Sequence, residues 1–476
     1  MTDNNDNVVP LTGAGIANKH VPPPPKFDPM PEEPWTEYGY ARRLIHVYSD
    51  RLRYVPAWRR WLVWDGTRWS PDGTGQAARW AKTIARLITT DARAIGDEKE
   101  RKAAVSTARR GESSAGISGA LTLAGTEDEV TVAPEDLDRD PFLVNCPNGT
   151  LDLRTGQLRD HDPADLLTKI TGAAYRPDAV SDTWTGFLEQ VQPEAAMRSY
   201  LARLFGHTLE GRVIEHLLAI CHGEGANGKG TFINAVLAAL GDYADAADPE
   251  LLTARTFDAH PTGTADLFGL RLAVLHEGDA GRRLAEGTVK RLTGGDRLKA
   301  RRMREDFWHF APSHTFVMLT NHKPLVVGTD EGIWRRLRLV PWPYVVPAAD
   351  RDEHLGDRLT LDADAVLTWL VAGYLDWHEH GLGEPDTVVQ ATKAFRGESD
   401  ALGRFIGERC LVAAGFRTRS SELYGAWCKW CATEGEEAGT NKAFTDGLTN
   451  RGYDPPKKAS VGMVWQRIGL AGEGDE

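Results

Sequence analysis

Eleven residues near the middle of the chain, His222-Gly223-Glu224-Gly225-Ala226-Asn227-Gly228-Lys229-Gly230-Thr231-Phe232, constrain the rest. They follow a short apolar run, Leu217-Leu218-Ala219-Ile220-Cys221, and precede a helix-like run from Phe232 to Leu240. Strand, glycine loop, lysine and helix is the order a phosphate cradle needs. Glycines let backbone N–H groups turn inward towards phosphate oxygens, and the helix N-terminus adds positive potential. Lys229 then reaches the β- and γ-phosphates as a compact point charge. Gly223-x4-Gly228-Lys229 satisfies the P-loop spacing with one departure: Gly230 stands where a Ser or Thr usually ligates Mg²⁺, and Thr231 comes one residue late. The stretch reads as an ATP site lined by residues 223 to 231, with Thr231 or waters as ligands of the Mg²⁺.

Composition narrows the setting. The 476 residues are 41% hydrophobic and 26% charged, which suits a globular chain of about three domains. No apolar run approaches the ~18 residues of a membrane span, and the N-terminus lacks a signal-peptide core. Five cysteines, scattered apart from Cys428 and Cys431, do not form a disulfide framework. The expectation is a soluble protein of a reducing compartment, the cytoplasm. A net charge of −12 excludes a chain that coats nucleic acid with its whole surface, so DNA contact requires a local basic stripe. One runs from Arg282 to Arg304, with nine Lys/Arg against two acids, Glu286 and Asp296.

Along the chain, residues 1–35 are polar and proline-rich, a composition that favours solvated, extended chain. Residues 36–180 form a mixed helical and hairpin region. Helical patterning covers Tyr38 to Asp50 and residues 75 to 120, and two hairpins are marked by turn dipeptides, Asp65-Gly66 after Trp61-Leu62-Val63-Trp64 and Asn148-Gly149 between Phe142 and Leu153. Asp136-Leu137-Asp138 reads as a solvated loop, since no hydrophobic strand frames it as a metal pair. From Trp184 to Leu218 the pattern is helical again.

Beyond the P-loop helix, Leu270 to Leu275 form an apolar run ending in His276-Glu277-Gly278-Asp279. Carboxylates at the tip of a buried strand suit an ATPase: one helps hold Mg²⁺ and another polarises the attacking water. Glu277 and Asp279 are those candidates. Within the basic stripe, Arg297 to Met303 and Phe307 to Phe310 pair across an Arg304-Glu305-Asp306 turn, projecting Lys299, Arg301, Arg302 and Arg304. The strand Thr315 to Thr320 ends in Asn321, placed to orient water or sense the γ-phosphate. Arg335 and Arg336 precede a last apolar strand, Leu337 to Val340; a free guanidinium there neutralises charge on the transferred phosphate, usually from a neighbouring subunit.

In this order, the P-loop, the Glu277 strand, Lys290 to Asp296, Thr320-Asn321 and Trp334-Arg335-Arg336 resemble the superfamily-3 helicases. The likeness is specifically to the phage/plasmid-type primase-helicases related to the poxvirus primase-helicase. It extends from about residue 36 to the end and is densest from Gly223 to Val340. The resemblance implies an α/β chain: an AAA+-like P-loop ATPase core (181–350), a preceding mixed helical/hairpin domain, a helical connector (351–385) and a C-terminal winged-helix-like DNA-binding domain (386–476). It implies a homo-hexamer moving on single-stranded and forked DNA, with Lys229 as P-loop lysine, Glu277 and Asp279 as the second acidic motif, Asn321 as sensor and Arg335 or Arg336 as arginine finger. Lys299 and its neighbours become the DNA-facing loop. Cys428 and Cys431 have no second Cys or His pair nearby, so they read as helix residues and not as a zinc site.

The resulting expectation is an ATP-driven replicative helicase of a phage, plasmid or integrated element in a bacterial host cell. About 180 residues precede the ATPase core and hold no convincing primase carboxylate set, which points to unwinding without primer synthesis and to a separate primase. Two rivals differ in class. A nucleotide-switched DNA-binding initiator binds ATP and origin DNA with little turnover, and a nucleotide kinase, suggested by Gly230-Thr231, ignores DNA.

Overall fold

A computed structural model describes residues 32–254, 262–276, 282–301, 307–327, 330–460 and 462–471. The chain divides into two compact units, one running through Pro177 and including Ala239–Tyr243 and Arg297–Ala311, the other made of Asp178–Ala238, Ala244–Asp296 and the chain from Pro312 onward.

In the first unit, α1 (Glu37–Tyr48) begins at Thr36, whose hydroxyl accepts from the Gly39 N–H at 3.2 Å and satisfies an otherwise orphaned donor. The strands β1 (Leu52–Val55), β2 (Arg60–Trp64) and β3 (Trp69–Pro71) form an antiparallel meander. Its second turn is the expected Asp65-Gly66, where the Asp65 carboxylate accepts from the N–H groups of Thr67 at 2.8 Å and Arg68 at 3.0 Å. The helical stretch predicted over 75 to 120 is three helices, α2 (Gln76–Asp91), α3 (Glu98–Gly111) and α4 (Ser114–Ala124). Ala77, Ala81, Ala85, Ala104, Ala108, Ala120 and Ala124 are buried along them, which lets the helix axes approach closely, and Trp80 stacks on Tyr48 at 4.6 Å. A second meander, β4 (Leu143–Cys146), β5 (Gly149–Asp152) and β6 (Gln157–Arg159), turns at the expected Asn148-Gly149, where Gly149 takes φ 147°. Asp138 is occupied locally, its carboxylate accepting from the Thr168 N–H and hydroxyl.

The second unit opens with α5 (Asp182–Val191) and α6 (Ala195–Gly206). The helical pattern expected through Leu218 therefore stops twelve residues early. Pro193 separates the two helices, and Leu218 already lies in β7 (Leu218–His222). Short apolar runs do not distinguish a buried helix from a strand buried on both faces, which is how the sequence misleads here. Next come α7 (Lys229–Leu240), β8 (Ala244–Ala247), α8 (Thr262–Ala265), β9 (Leu272–His276) and α9 (Glu286–Leu292). The hairpin β10 (Leu298–Ala300) and β11 (Trp308–Phe310), which belongs to the first unit, is followed by β12 (Thr315–Thr320), α10 (Glu331–Trp334) and β13 (Leu337–Pro341).

Five strands make one parallel sheet in the order β13-β7-β12-β9-β8. This central parallel sheet, with α7 leaving a glycine loop at the end of β7, is consistent with a P-loop ATPase. Phe232 anchors α7 beneath it. Its ring meets Phe205 at 4.9 Å, Trp342 at 5.4 Å and Trp184 at 5.5 Å.

Beyond the sheet lie α11 (Leu355–Leu361), α12 (Ala363–His380) and α13 (Asp386–Ser399). A Cβ on Gly373 of α12 would sit 2.0 Å from the Ala202 carbonyl oxygen, so glycine sets the spacing of α12 on α6. The chain ends in α14 (Ala401–Arg409), β14 (Cys410–Arg419), α15 (Ser420–Glu434), α16 (Asn441–Asn450), β15 (Lys457–Ala459) and β16 (Gly462–Leu470). The strands pair antiparallel in the order β14-β16-β15 over a core of Phe405, Trp427, Trp430, Phe444 and Trp465. No helix among the described residues is long and apolar enough to cross a membrane.

Candidate nucleotide site and nucleic-acid interface

The loop from Gly223 to Gly228 is held by the two strands that flank β7. Thr320 of β12 and Pro341 of β13 both lie in register with His222, so the carboxyl ends of all three strands open at one level. β12 and β7 are neighbours although nearly a hundred residues separate them, and β8, the next strand after β7, lies at the far edge. Ligands of open α/β sheets bind at such a switch in strand order, outside the carboxyl ends.

Steric facts require the glycines at both ends of the loop. A Cβ on Gly223 would fall 2.3 Å from the Trp342 carbonyl oxygen, and one on Gly228 would fall 2.6 Å from Val191 Cγ1. Gly228 also takes φ 81°, and Ala226 takes φ 59° without being glycine. A left-handed alanine costs about 1–2 kcal/mol, and alternation of left- and right-handed residues turns successive N–H groups inward as an anion nest.

Asn227, buried, fastens this shape. Its Nδ2 donates to the Trp342 carbonyl at 3.2 Å while its Oδ1 accepts from the Lys229 N–H at 3.3 Å. Trp342 and Val346 complete the edge: the Trp342 N–H donates to His222 O and the Val346 N–H to Ala226 O, each at 2.8 Å. The role of Trp342 was not legible in the sequence, because the interaction uses its carbonyl, which every residue type carries.

Lys229 opens α7 and is 6% exposed. Its ammonium donates to Gly223 O at 2.5 Å, Asn321 Oδ1 at 3.2 Å and Glu224 O at 3.3 Å. Burial holds its pKa below the usual lysine range, with Cys221 opposing. A charge whose partners among the described residues are neutral acceptors, at a helix N-terminus, fits an incoming phosphate, whose negative charge reverses that desolvation penalty. His222 is kept towards neutrality by burial and then by the charges of Lys323 and Lys229. Burial pushes the Cys221 thiol up to about 12, which makes it an inert core residue.

Gly230 is exposed and Thr231 half-buried in the first turn of α7. Glu277 and Asp279 lie outside the described residues, which end on that strand at His276, the exposed tip of β9. Among the described residues no group of three or more His, Cys, Asp or Glu side chains is arranged to hold a metal. Cys428 and Cys431 lie on α15 as free thiols, half-buried and buried respectively.

The paired arginines differ in surroundings. Arg335 is exposed at the C-terminal end of α10, and among the described residues its guanidinium makes no side-chain hydrogen bond. Arg336 is buried and donates to Gly332 O at 2.7 Å; burial, with Arg335 beside it, lowers its pKa. α10 is tied on two sides. Asp330, its N-cap, pairs with Lys290 of α9, and Glu331 pairs with Arg396 of α13 at 2.6 Å. Phe395 packs its ring edge-on against Trp334 at 5.3 Å, and Glu398 pairs with Lys323, two residues past Asn321, at 2.6 Å. One helix, α13, thus touches the segments that follow Asn321 and precede Arg335, a connection the sequence does not signal.

The hairpin expected within the basic stripe is present. Lys299 faces His309 and Ala300 faces Trp308 in register. Leu298, Ala300, Trp308 and Phe310 are buried, and Trp308 meets Trp58 edge-on at 5.9 Å. Lys299 and His309 are exposed on the other face and Arg301 is half-buried. Arg302 and Arg304, and the turn expected at 304–306, lie outside the described residues.

Two family profiles match successive parts of the chain: "D5 N terminal like" over residues 41–193 and "Family of unknown function (DUF5906)" over residues 221–336. The second runs from the end of β7 to the paired arginines. The chain thus carries a D5 N-terminal-like segment followed by a DUF5906 segment. It is related to viral proteins named as helicases and primases. A mimivirus protein named "Putative helicase" is 28% identical over 296 residues, covering 57% of this chain and 31% of the relative. An African swine fever virus protein named "Putative primase" is 25% identical over 324 residues, covering 62% and 34%. An Invertebrate iridescent virus 3 protein named "Putative helicase" is 24% identical over 217 residues, covering 43% and 23%. The chain therefore spans about a third or less of the length of these relatives. Among solved structures, the apo NrS-1 C-terminal region aligns with 11% identity and a TM-score of 0.49, covering 88% of this chain and 96% of that one.

Proposed function

We propose that this D5_N/DUF5906 chain is an ATP-driven DNA helicase that unwinds DNA for replication of a phage, plasmid or integrated element. The observation that carries the reading is the contact between Lys229 and Asn321 at the carboxyl ends of β7 and β12. A P-loop lysine and a polar residue from the adjacent strand converge where a γ-phosphate sits when the loop holds a nucleotide. ATP binds residues 223–231 in this account, with Thr231, Glu277 or waters completing the shell of a Mg²⁺ ion whose chemistry is to neutralise phosphate charge. Glu277 or Asp279 activates water. Arg335, exposed and without a side-chain hydrogen bond among the described residues, is the arginine that reaches a neighbouring subunit, which requires a ring such as a hexamer. Buried Arg336 holds the chain around it.

The β10–β11 hairpin, with Lys299 and Arg301, tracks the DNA backbone, and Arg302 and Arg304 are further DNA-contact candidates by sequence. The C-terminal helices and three-stranded sheet, with the β15–β16 hairpin as the wing, act as a winged-helix DNA-docking module, and primer synthesis falls to a separate protein. Gly230 favours a second reading, an ATP-switched initiator with little turnover, because it removes the usual hydroxyl ligand of Mg²⁺.

Steady-state ATP hydrolysis with and without single-stranded DNA tests the proposal. Native protein stimulated by DNA, with Lys229→Ala and Asn321→Ala both slowed at least about a hundredfold, supports the motor. Tight ATP binding with no DNA-stimulated turnover supports the switch instead.

A further inference from the structure

We infer that the β10–β11 hairpin carries a base-stacking subsite, with the Phe307 ring as the platform for one unpaired nucleobase of a single strand. This deepens the proposed DNA contact of that hairpin and rests on it. The hairpin is two-faced. Its inner face is filled by Leu298, Ala300, Trp308 and Phe310, and Trp308 is tied to Trp58. Phe307, one residue before β11, takes the other face and is 47% exposed. The inner face is already filled, so this ring lies outside the core with much of its surface in water.

Its neighbours are cations. Lys299 Nζ lies 4.4 Å and Arg301 Cζ 4.7 Å from the ring centroid. Such cation–π contacts orient the ring while leaving part of it in solvent. Exposed aromatic flanked by lysine and arginine is the chemistry that holds single-stranded nucleic acid: the ring takes a base face, and the cations neutralise the phosphates on either side. Because every base has a π-face, such a site tolerates any sequence, as a translocating strand requires. Duplex DNA, with its bases already stacked, offers no such face.

The test uses the full chain, a thymidine oligonucleotide, and an oligonucleotide of equal length in which abasic sites replace the bases. Binding is measured by fluorescence anisotropy over a series of salt concentrations. Native protein should prefer the thymidine strand. Phe307→Ala should bind that strand about tenfold more weakly, bind the abasic strand as native does, and keep the native salt dependence. Phe307→Leu keeps apolar bulk without a π-face and should behave like the alanine variant, whereas Phe307→Trp should restore preference and show fluorescence quenching on binding. Lys299→Ala should weaken both strands and reduce the log–log salt slope by about 0.7.

Equal weakening of both strands by Phe307→Ala, or native affinity in Phe307→Leu, overturns the stacking subsite while leaving the hairpin as a phosphate-binding loop. No single-strand binding by the native chain at any salt overturns the subsite together with the helicase reading.

Discussion

Adjacent side chains in this chain can have opposite fates, and Arg335 and Arg336 show it. Nothing in the dipeptide separates them, yet one is exposed and the other is buried against Gly332 O. If Arg335 is the finger, Arg335→Ala lowers the ATP hydrolysis rate about 10³–10⁵-fold with ATP binding retained. Arg336→Ala should instead cost about 1–3 kcal/mol of stability, because it removes a buried guanidinium and leaves the part-buried Gly332 carbonyl without its donor. Comparable, mild rate losses in both variants contradict the assignment. His314 gives a residue-scale prediction about pH. Its ring is fully buried, edge-on to Phe316 at 4.7 Å, and burial lowers its pKa from 6.5 to about 4. The unfolded chain then binds a proton that the folded chain refuses, so this contribution is intact above the unfolded value and is lost as pH falls from about 6.5 towards 4. Urea unfolding at pH 7 and pH 5 should differ by up to about 2 kcal/mol from this group. His314→Leu should remove that share of the difference, and an unchanged pH response in the variant counts against it.

Elements were legible where turn chemistry announced them. Asp65-Gly66 and Asn148-Gly149 both close hairpins, and the pairing expected between 297–303 and 307–310 is seen in β10 with β11. β8 escaped because Ala244-Asp245-Ala246-Ala247 has neither β-branched residues nor apolar alternation; only its place beside β9 makes it a strand. The seat of α13 was equally hidden, since helical periodicity tells which face is apolar and not which neighbour covers it. Phe395, 2% exposed against Trp334, is the anchor of that seat. Phe395→Ala should destabilise the protein by about 3–5 kcal/mol in urea unfolding. Reversing the exposed Lys323–Glu398 pair at one partner should change stability by less than about 1 kcal/mol. A Phe395→Ala protein as stable as the native one removes α13 as the support of the Trp334–Arg335 segment.

For the whole molecule, the glycine loop marked a candidate phosphate site in the sequence, but the order of the sheet did not follow from it. Parallel strands all look like short apolar runs, and nothing in Thr315 to Thr320 says that this strand inserts between β7 and β9. That insertion brings Asn321 to Lys229, and the account of the chain as a motor depends on it. The most direct test is unwinding of a forked DNA duplex with ATP and Mg²⁺, native protein against Lys229→Ala. Strand separation by the native chain, abolished in the variant and absent without ATP, is the predicted result. Failure of both proteins to separate the strands, with no ATP hydrolysis by native protein even on single-stranded DNA, would contradict the helicase account.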